Sequence, residues 1–397
     1  MDNADQGLIQ KADPTDREKE LVRIIEENPT ISQTEIAALM GITRSSVSVN
    51  ITNLMKKGII KGRGYVLAKQ SYPVVFGTAN CDCIAYTKEA PVIDAEQVLS
   101  GPVDFKIAYA GFAKTVSEIF ARFNFSPMPL LVVGSDHFGS EILREMRSNN
   151  IAVDDILVTD SAPTAMYFEL FDRSSNRTLM HCINSDIRNC LTPQYLQSKH
   201  PILRNASFFV IEDAIPLDTV SYLITNYQGT PLYFLALIYS QVLDYRSSFK
   251  YFEMVGISQE MLEDLTGIAQ TDGESDDQHI VSLAKAFLQN GPASILIPFS
   301  GRKLCYATRT DCYIISNETE NLPNVTYDTC RMAVFSTFLY YKNTGTPLLD
   351  TLKNCVAAQV LSAESGEINK YAYYNISANN ISKALKDCVF VIKNFNF

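Results

Sequence analysis

Residues 130–151 read LLVVGSDHFGSEILREMRSNNI. An apolar run of strand character, LLVVGS, is followed at once by a stretch of helical character, FGSEILREMRSNN. The same succession recurs on both sides of it. Strand-like runs VVFGTA, SFFVIE, PLYFLALI and ASILIPF alternate with helical stretches AKTVSEIFARF and DDQHIVSLAKAFLQN. That alternation predicts an α/β domain with a largely parallel sheet, because a parallel crossover needs a helix between its strands.

The chain has 397 residues, enough for about two to three domains. At 46% hydrophobic and 20% charged it can bury a large core. Its net charge of −10 is unevenly spread. Residues 31–70 hold six basic side chains against one acid, a net of +5, which leaves −15 for the rest. A basic module on an acidic body fits a protein of which one part meets nucleic acid; chance surface charge is the alternative. Nine scattered cysteines form no CxxC and do not cluster with the four histidines, which predicts buried reduced thiols and a cytoplasmic location. The polar start MDNADQGLIQ shows no secretory signal, and no apolar run is long enough to span a bilayer.

Residues 1–14 are polar and read as disordered; residues 15–69 form a separate unit. In TDREKELVRIIEENP, Thr15 or Asp16 caps a first helix with Leu21, Ile24 and Ile25 on one face. SQTE, residues 32–35, has the form of a capping box and opens a second helix that ends at Gly41. A third helix follows, with Val47, Ile51 and Leu54 spaced to face the core. GIIKGRGYVLAK then reads as a short hairpin with a basic tip. This order resembles a winged helix-turn-helix. The resemblance implies that Arg44, Ser45, Ser46 and Asn50 meet base edges or nearby phosphates of double-stranded DNA. It gives Lys56, Lys57, Lys61 and Arg63 to the phosphate backbone. A winged helix used only for protein contacts is the alternative.

From residue 73 to residue 397 the chain resembles the ribokinase/PfkB carbohydrate-kinase family, especially its pseudouridine-kinase-like branch. VVFGTANCDCIAY carries the opening strand and an N-x-D, AGFAKTVSEIFARF the glycine turn and helix, and Gly134, Asp136 and Gly139 the G-x-D-x-x-G segment. The resemblance implies a three-layer α/β/α domain with a small β lid, pairing as a homodimer. It further implies a sugar or nucleoside pocket at Asn80, Asp82, Gly111 and Lys114, approached by Asn184 and Asp186. A carboxylate such as Asp82 suits vicinal hydroxyls because it accepts from both. The alternative for N-x-D is a turn in which Asp82 bonds its own backbone; for Lys114 it is a solvated lysine.

The nucleotide side departs from the family. Its N-x-x-E positions fall on Ser258 and Met261, its T-x-G on Pro298, Phe299 and Ser300, and its G-A-G-D on Thr329, Cys330, Arg331 and Met332. The aspartate of that last motif takes the proton from the attacking hydroxyl, and a thioether cannot. Asp328 could replace it only with a shifted alignment. The segment reads as a strand end, a turn and a helix opening near residue 331. The expectation is a DNA-binding transcriptional regulator whose kinase-like domain senses a nucleoside or sugar, with no catalytic residue, no metal and no cofactor. The alternative is an active kinase using Mg-ATP and carrying a DNA-binding module.

Overall fold

The structure, a computed structural model of the chain, describes residues 14–28, 31–60, 71–88, 92–93, 99–175, 177–299, 302–319, 328–363 and 372–397. Three helices open it, and each is started by a side-chain cap. α1 (Asp16–Glu27) has Thr15 as its N-cap, and the Glu18 carboxylate reaches back to the Thr15 N–H to complete a capping box. α2 (Gln33–Met40) repeats that box with Ser32 and Glu35 and ends at Gly41 in the left-handed conformation, φ 64°. α3 (Arg44–Lys56) is capped by Thr43. Leu21, Ile25, Ile36, Val47, Ile51 and Leu54 meet in one small core. The expected hairpin, with Lys61 and Arg63, lies outside the described residues. Just past α3, the Gly58 carbonyl accepts from the Asn205 side-chain amide of the large domain at 3.0 Å.

The large domain is built on a nine-stranded sheet. Six strands run parallel in the order Met128–Leu130, β1 (Tyr72–Phe76), Ala206–Glu212, Leu232–Leu235, Met254–Gly256 and Ser294–Phe299. Three antiparallel strands, Lys303–Thr308, Asp311–Asn317 and Phe390–Asn396, extend it on one edge. SFFVIE is continuously apolar because helices cover both faces of its strand. Phe208 and Val210 pack on one side with α4 (Phe112–Arg122) and the helices Asp328–Asn343 and Leu348–Ala363. Phe209 and Ile211 pack on the other with the helices Leu217–Asn226 and Asp276–Leu288. These are the three layers. The helix expected to open near residue 331 starts earlier, at Asp328.

The segment quoted at the outset folds as a strand and α5 (His137–Ser148), joined by a tight corner. Asp136 caps α5 by accepting from the Gly139 N–H at 2.8 Å, and it also takes the Thr164 N–H and hydroxyl, each at 2.7 Å. Burial would raise the Asp136 pKa, but these bonds outweigh it and hold the carboxyl below its ordinary value. A methyl on Gly139 would strike the Gly134 carbonyl, so the corner needs both glycines.

A second sheet forms the lid: β2 (Asn80–Thr87) lies between Val103–Ala110 and Ala165–Asp172, with Arg177–Asn184 outermost. Ile84, Tyr86 and Phe171 turn one face toward the body. By the register, Phe105, Ile107 and Met180 belong to the other face, and all three are exposed. No helix among the described residues is long and apolar enough to cross a membrane. All nine cysteines are free; Cys81, Cys305, Cys312, Cys330 and Cys355 are buried, but Cys182 is exposed on the lid, contrary to a uniformly buried set.

Candidate functional site

The parallel strands bring their carboxyl ends to one edge of the sheet, the edge beside which ligands of open α/β sheets bind. At the end of β1 the chain turns through Gly77, Thr78 and Ala79 into β2. Gly111, which begins α4 with φ 101°, lies against this turn. A Cβ there would sit 2.6 Å from Ala79 Cα and 2.7 Å from Asn80 Oδ1. The Ala113 N–H donates to the Thr78 carbonyl at 3.0 Å, which fastens the helix N-terminus to the turn. Asn80 donates its side-chain amide to Asp82 Oδ1, so that carboxylate is oriented by a side chain of the site. Asn80, Asp82 and Gly111 are thus brought together as expected.

Two acids missed in the sequence complete the cluster. Glu212 closes the central strand, and its Oε1 accepts from the Thr78 N–H. Asp213 follows it and accepts from the Leu237 and Ile238 N–H groups at 2.9 and 2.7 Å, while its Oδ1 is buried with no hydrogen-bond partner. Those two bonds divert the backbone, so the strand read from PLYFLALI stops at Leu235. Burial, then the charge of Asp213, pushes the Glu212 carboxyl up to about 8. Burial pushes Asp213 up to about 7 against its backbone bonds and the nearby Arg331. The signal in the sequence was Glu212 ending the run SFFVIE with Asp213 directly after it.

Other expected ligand contacts take different places. Lys114 is 0% exposed, with its ammonium 2.7 Å from Glu118 and 3.4 Å from Glu145, so the structure assigns it to the packing of α4 on α5 rather than to a ligand or to solvent. Asn184 is in register with Met166 and Cys81, one residue off the row of Asp82, Tyr167 and Ile183. Successive residues of a strand face opposite sides, so Asn184 and Asp82 do not share a face of the lid. Asp186 begins a 3-10 turn and is exposed; from the same turn Arg188 acts electrostatically on Glu212.

On the nucleotide side, Ser258 is the N-cap of the helix Gln259–Thr266 and Met261 is buried. Glu263 is engaged by the buried His279 at 2.9 Å. Arg331 donates to the Ala236 carbonyl at 3.1 Å and lies 3.9 Å from the Met261 sulfur, so two of the departures touch. Cys330 is buried, which pushes its thiol up to about 12. Met332 is 8% exposed and packs into the core. Ser300 and the side chains of Asp328 and Thr329 lie outside the described residues. No group of three or more His, Cys, Asp or Glu residues suited to a metal ion occurs among the described residues.

In the N-terminal module, Arg44, Ser45, Ser46 and Lys56 of α3 are exposed, whereas Asn50 is half-buried on its flank. Lys57 is not available to phosphate. Its ammonium pairs with Glu18 at 2.6 Å in a largely buried bridge, which corrects the expected backbone contact.

Residues 15–61 match the model of the winged helix-turn-helix DNA-binding family, and residues 70–315 match that of the pfkB family carbohydrate kinases. A protein of Escherichia coli (strain K12) described as the uncharacterized sugar kinase YeiI is 30% identical over 217 residues, which is 55% of this chain and 59% of that relative's length. A carbohydrate kinase from Agrobacterium tumefaciens superposes with a TM-score of 0.67 at 16% identity, over 82% of this chain and all of its own. The ribokinase of Thermotoga maritima does so with a TM-score of 0.66 at 13% identity, over 80% and 99%. These two likenesses establish the ribokinase-like fold. With a family match over more than half its length, the chain belongs to the pfkB family of carbohydrate kinases, carrying a winged helix-turn-helix ahead of that domain.

Proposed function

We propose that this protein is a cytoplasmic DNA-binding transcriptional regulator whose pfkB domain binds a nucleoside or sugar without phosphorylating it. One observation carries the reading. Met332, which aligns with the aspartate of the family's G-A-G-D, is packed into the core. The residues present also do not fit Mg-ATP: Ser258 caps a helix, Met261 is core, and the Arg331 guanidinium is held by the Ala236 carbonyl. The hydroxyl side is better equipped, because the Asp82 carboxylate and the proton-bearing Glu212 carboxyl bring an acceptor and a donor beside the Gly111 turn.

A ligand there can act on the module only by binding one arrangement of the chain better than another. The strand Ala206–Glu212 links the two regions physically: Asn205, before it, holds Gly58, and Glu212 ends it at the site. Two winged helices reading a duplex would come from a homodimer formed through the apolar outer face of the lid. Phe105→Glu should then turn the dimer into monomers in sedimentation; an unchanged sedimentation coefficient places the dimer elsewhere.

The function itself is tested by thermal unfolding against a panel of nucleosides, sugars and Mg-ATP. A ligand at a hundredfold its Kd adds about 2.7 kcal/mol. Stabilisation by a nucleoside or sugar, with none from Mg-ATP, is the expected result. Stabilisation by Mg-ATP together with ADP release in a coupled assay would identify an active kinase instead.

A further inference from the structure

Helix α3 buries Val47, Ile51 and Leu54 against the core of its module. At about 100° per residue, the ridge opposite that stripe is Ser45, Val49, Thr52 and Lys56, and all four are exposed. The polar groups near the middle of this ridge are already engaged. Ser45 Oγ shares a hydrogen bond with Thr43 Oγ1 at 2.8 Å, and the Thr52 hydroxyl donates to the Ser48 carbonyl at 2.8 Å. Between them stands Val49, 59% exposed.

Nothing in the folding of the module calls for valine at this position. It lies mostly in solvent and outside the module's core, and a β-branched residue is a poorer helix former than the Lys, Glu or Ala that usually fill such places. An apolar group at the centre of a helix that enters the major groove has one matching feature there, the 5-methyl of thymine. We propose that Val49 determines sequence specificity by packing its side chain on a thymine methyl in each half-site. Ser45 and Thr52 flank that contact, and Arg44 and Lys56 hold phosphates at either end of the helix. This rests on the DNA-binding reading above and adds to it the base class that is read.

The experiment selects duplexes from a random-sequence DNA library with the full-length chain and, in parallel, with Val49→Ala. The expected wild-type preference contains one T·A pair per half-site. Replacing its thymine by uracil weakens binding about fourfold, the effect of burying one methyl-sized group. Val49→Ala should select duplexes degenerate at that pair, keep the other positions and ignore the uracil replacement. Its fold is checked by an unchanged thermal midpoint. Selection of the same sequence with the same thymine dependence by both proteins overturns the role of Val49 and leaves DNA binding standing. If the wild-type chain enriches no sequence, the DNA-binding reading falls and takes this inference with it.

Discussion

Lys114→Ala should lower the free energy of unfolding by about 3–5 kcal/mol, measured by urea denaturation with an unchanged slope. Lys114 and Glu118 lie one turn apart on α4 and both side chains are fully buried. Glu118 Oε1 takes the ammonium at 2.7 Å and the Asn149 amide at 3.1 Å, while a second cation, Arg122, stands 3.8 Å from Oε2. Removing the lysine leaves a fully buried carboxylate without its ammonium. The cost arises from the orphaned partner, so removing both charges should be far milder. Lys114→Met with Glu118→Leu is therefore expected to stay within about 1–2 kcal/mol of the parent. It should also keep any stabilisation by a nucleoside or sugar, since neither side chain belongs to the pocket. A single Lys114→Ala variant as stable as the parent would show that Glu118 finds solvent or another cation, contrary to the packing described.

Glu212→Gln should remove much of the pH dependence of stability between pH 4.5 and 8. Burial, then the charge of Asp213, raises this carboxyl from 4.5 to about 8. Within that window the folded chain keeps a proton that the unfolded chain has released. Where the folded state binds more protons, stability falls as pH rises, by about 1.4 kcal/mol per unit for one group. Summed across the window, Glu212 removes on the order of 3–5 kcal/mol by pH 8. Asp213, raised from 3.8 to about 7, acts in the same direction at lower pH and remains in the variant. The two proteins should consequently diverge most clearly between pH 7 and 8, with the glutamine variant the more stable. Glutamine can still accept from the Thr78 N–H, so the comparison isolates the charge. Parallel stability curves from pH 5 to 9 would mean that Glu212 is ionised in the folded protein.

The helix caps of the first module were legible because each depends on residues a few positions apart. Thr15 with Glu18 and Ser32 with Glu35 satisfy one another's backbone groups within a single turn. The apolar run SFFVIE was equally clear, since a strand covered on both faces leaves no polar positions to interrupt it. That Asn80, Asp82 and Gly111 lie together followed from a family resemblance whose motifs keep their order along the chain.

Burial and pairing were decided elsewhere. Lys57 reads as a phosphate contact until α1 brings Glu18, 39 residues away, to within 2.6 Å of it. Asn184 and Asp82 share a resemblance but not a face, because register sets which side of a strand each residue occupies. Glu212 owes its raised pKa to burial, then to its neighbour Asp213, against the Thr78 N–H that a turn 134 residues earlier brings to it. The sequence alone determined the alternation of strands with helices and the caps, since propensity, periodicity and capping act between neighbours, while the layers came from the family resemblance. Which charges are spent inside the protein and which face a ligand was set by the tertiary structure, because desolvation and pairing depend on what the fold brings from far along the chain.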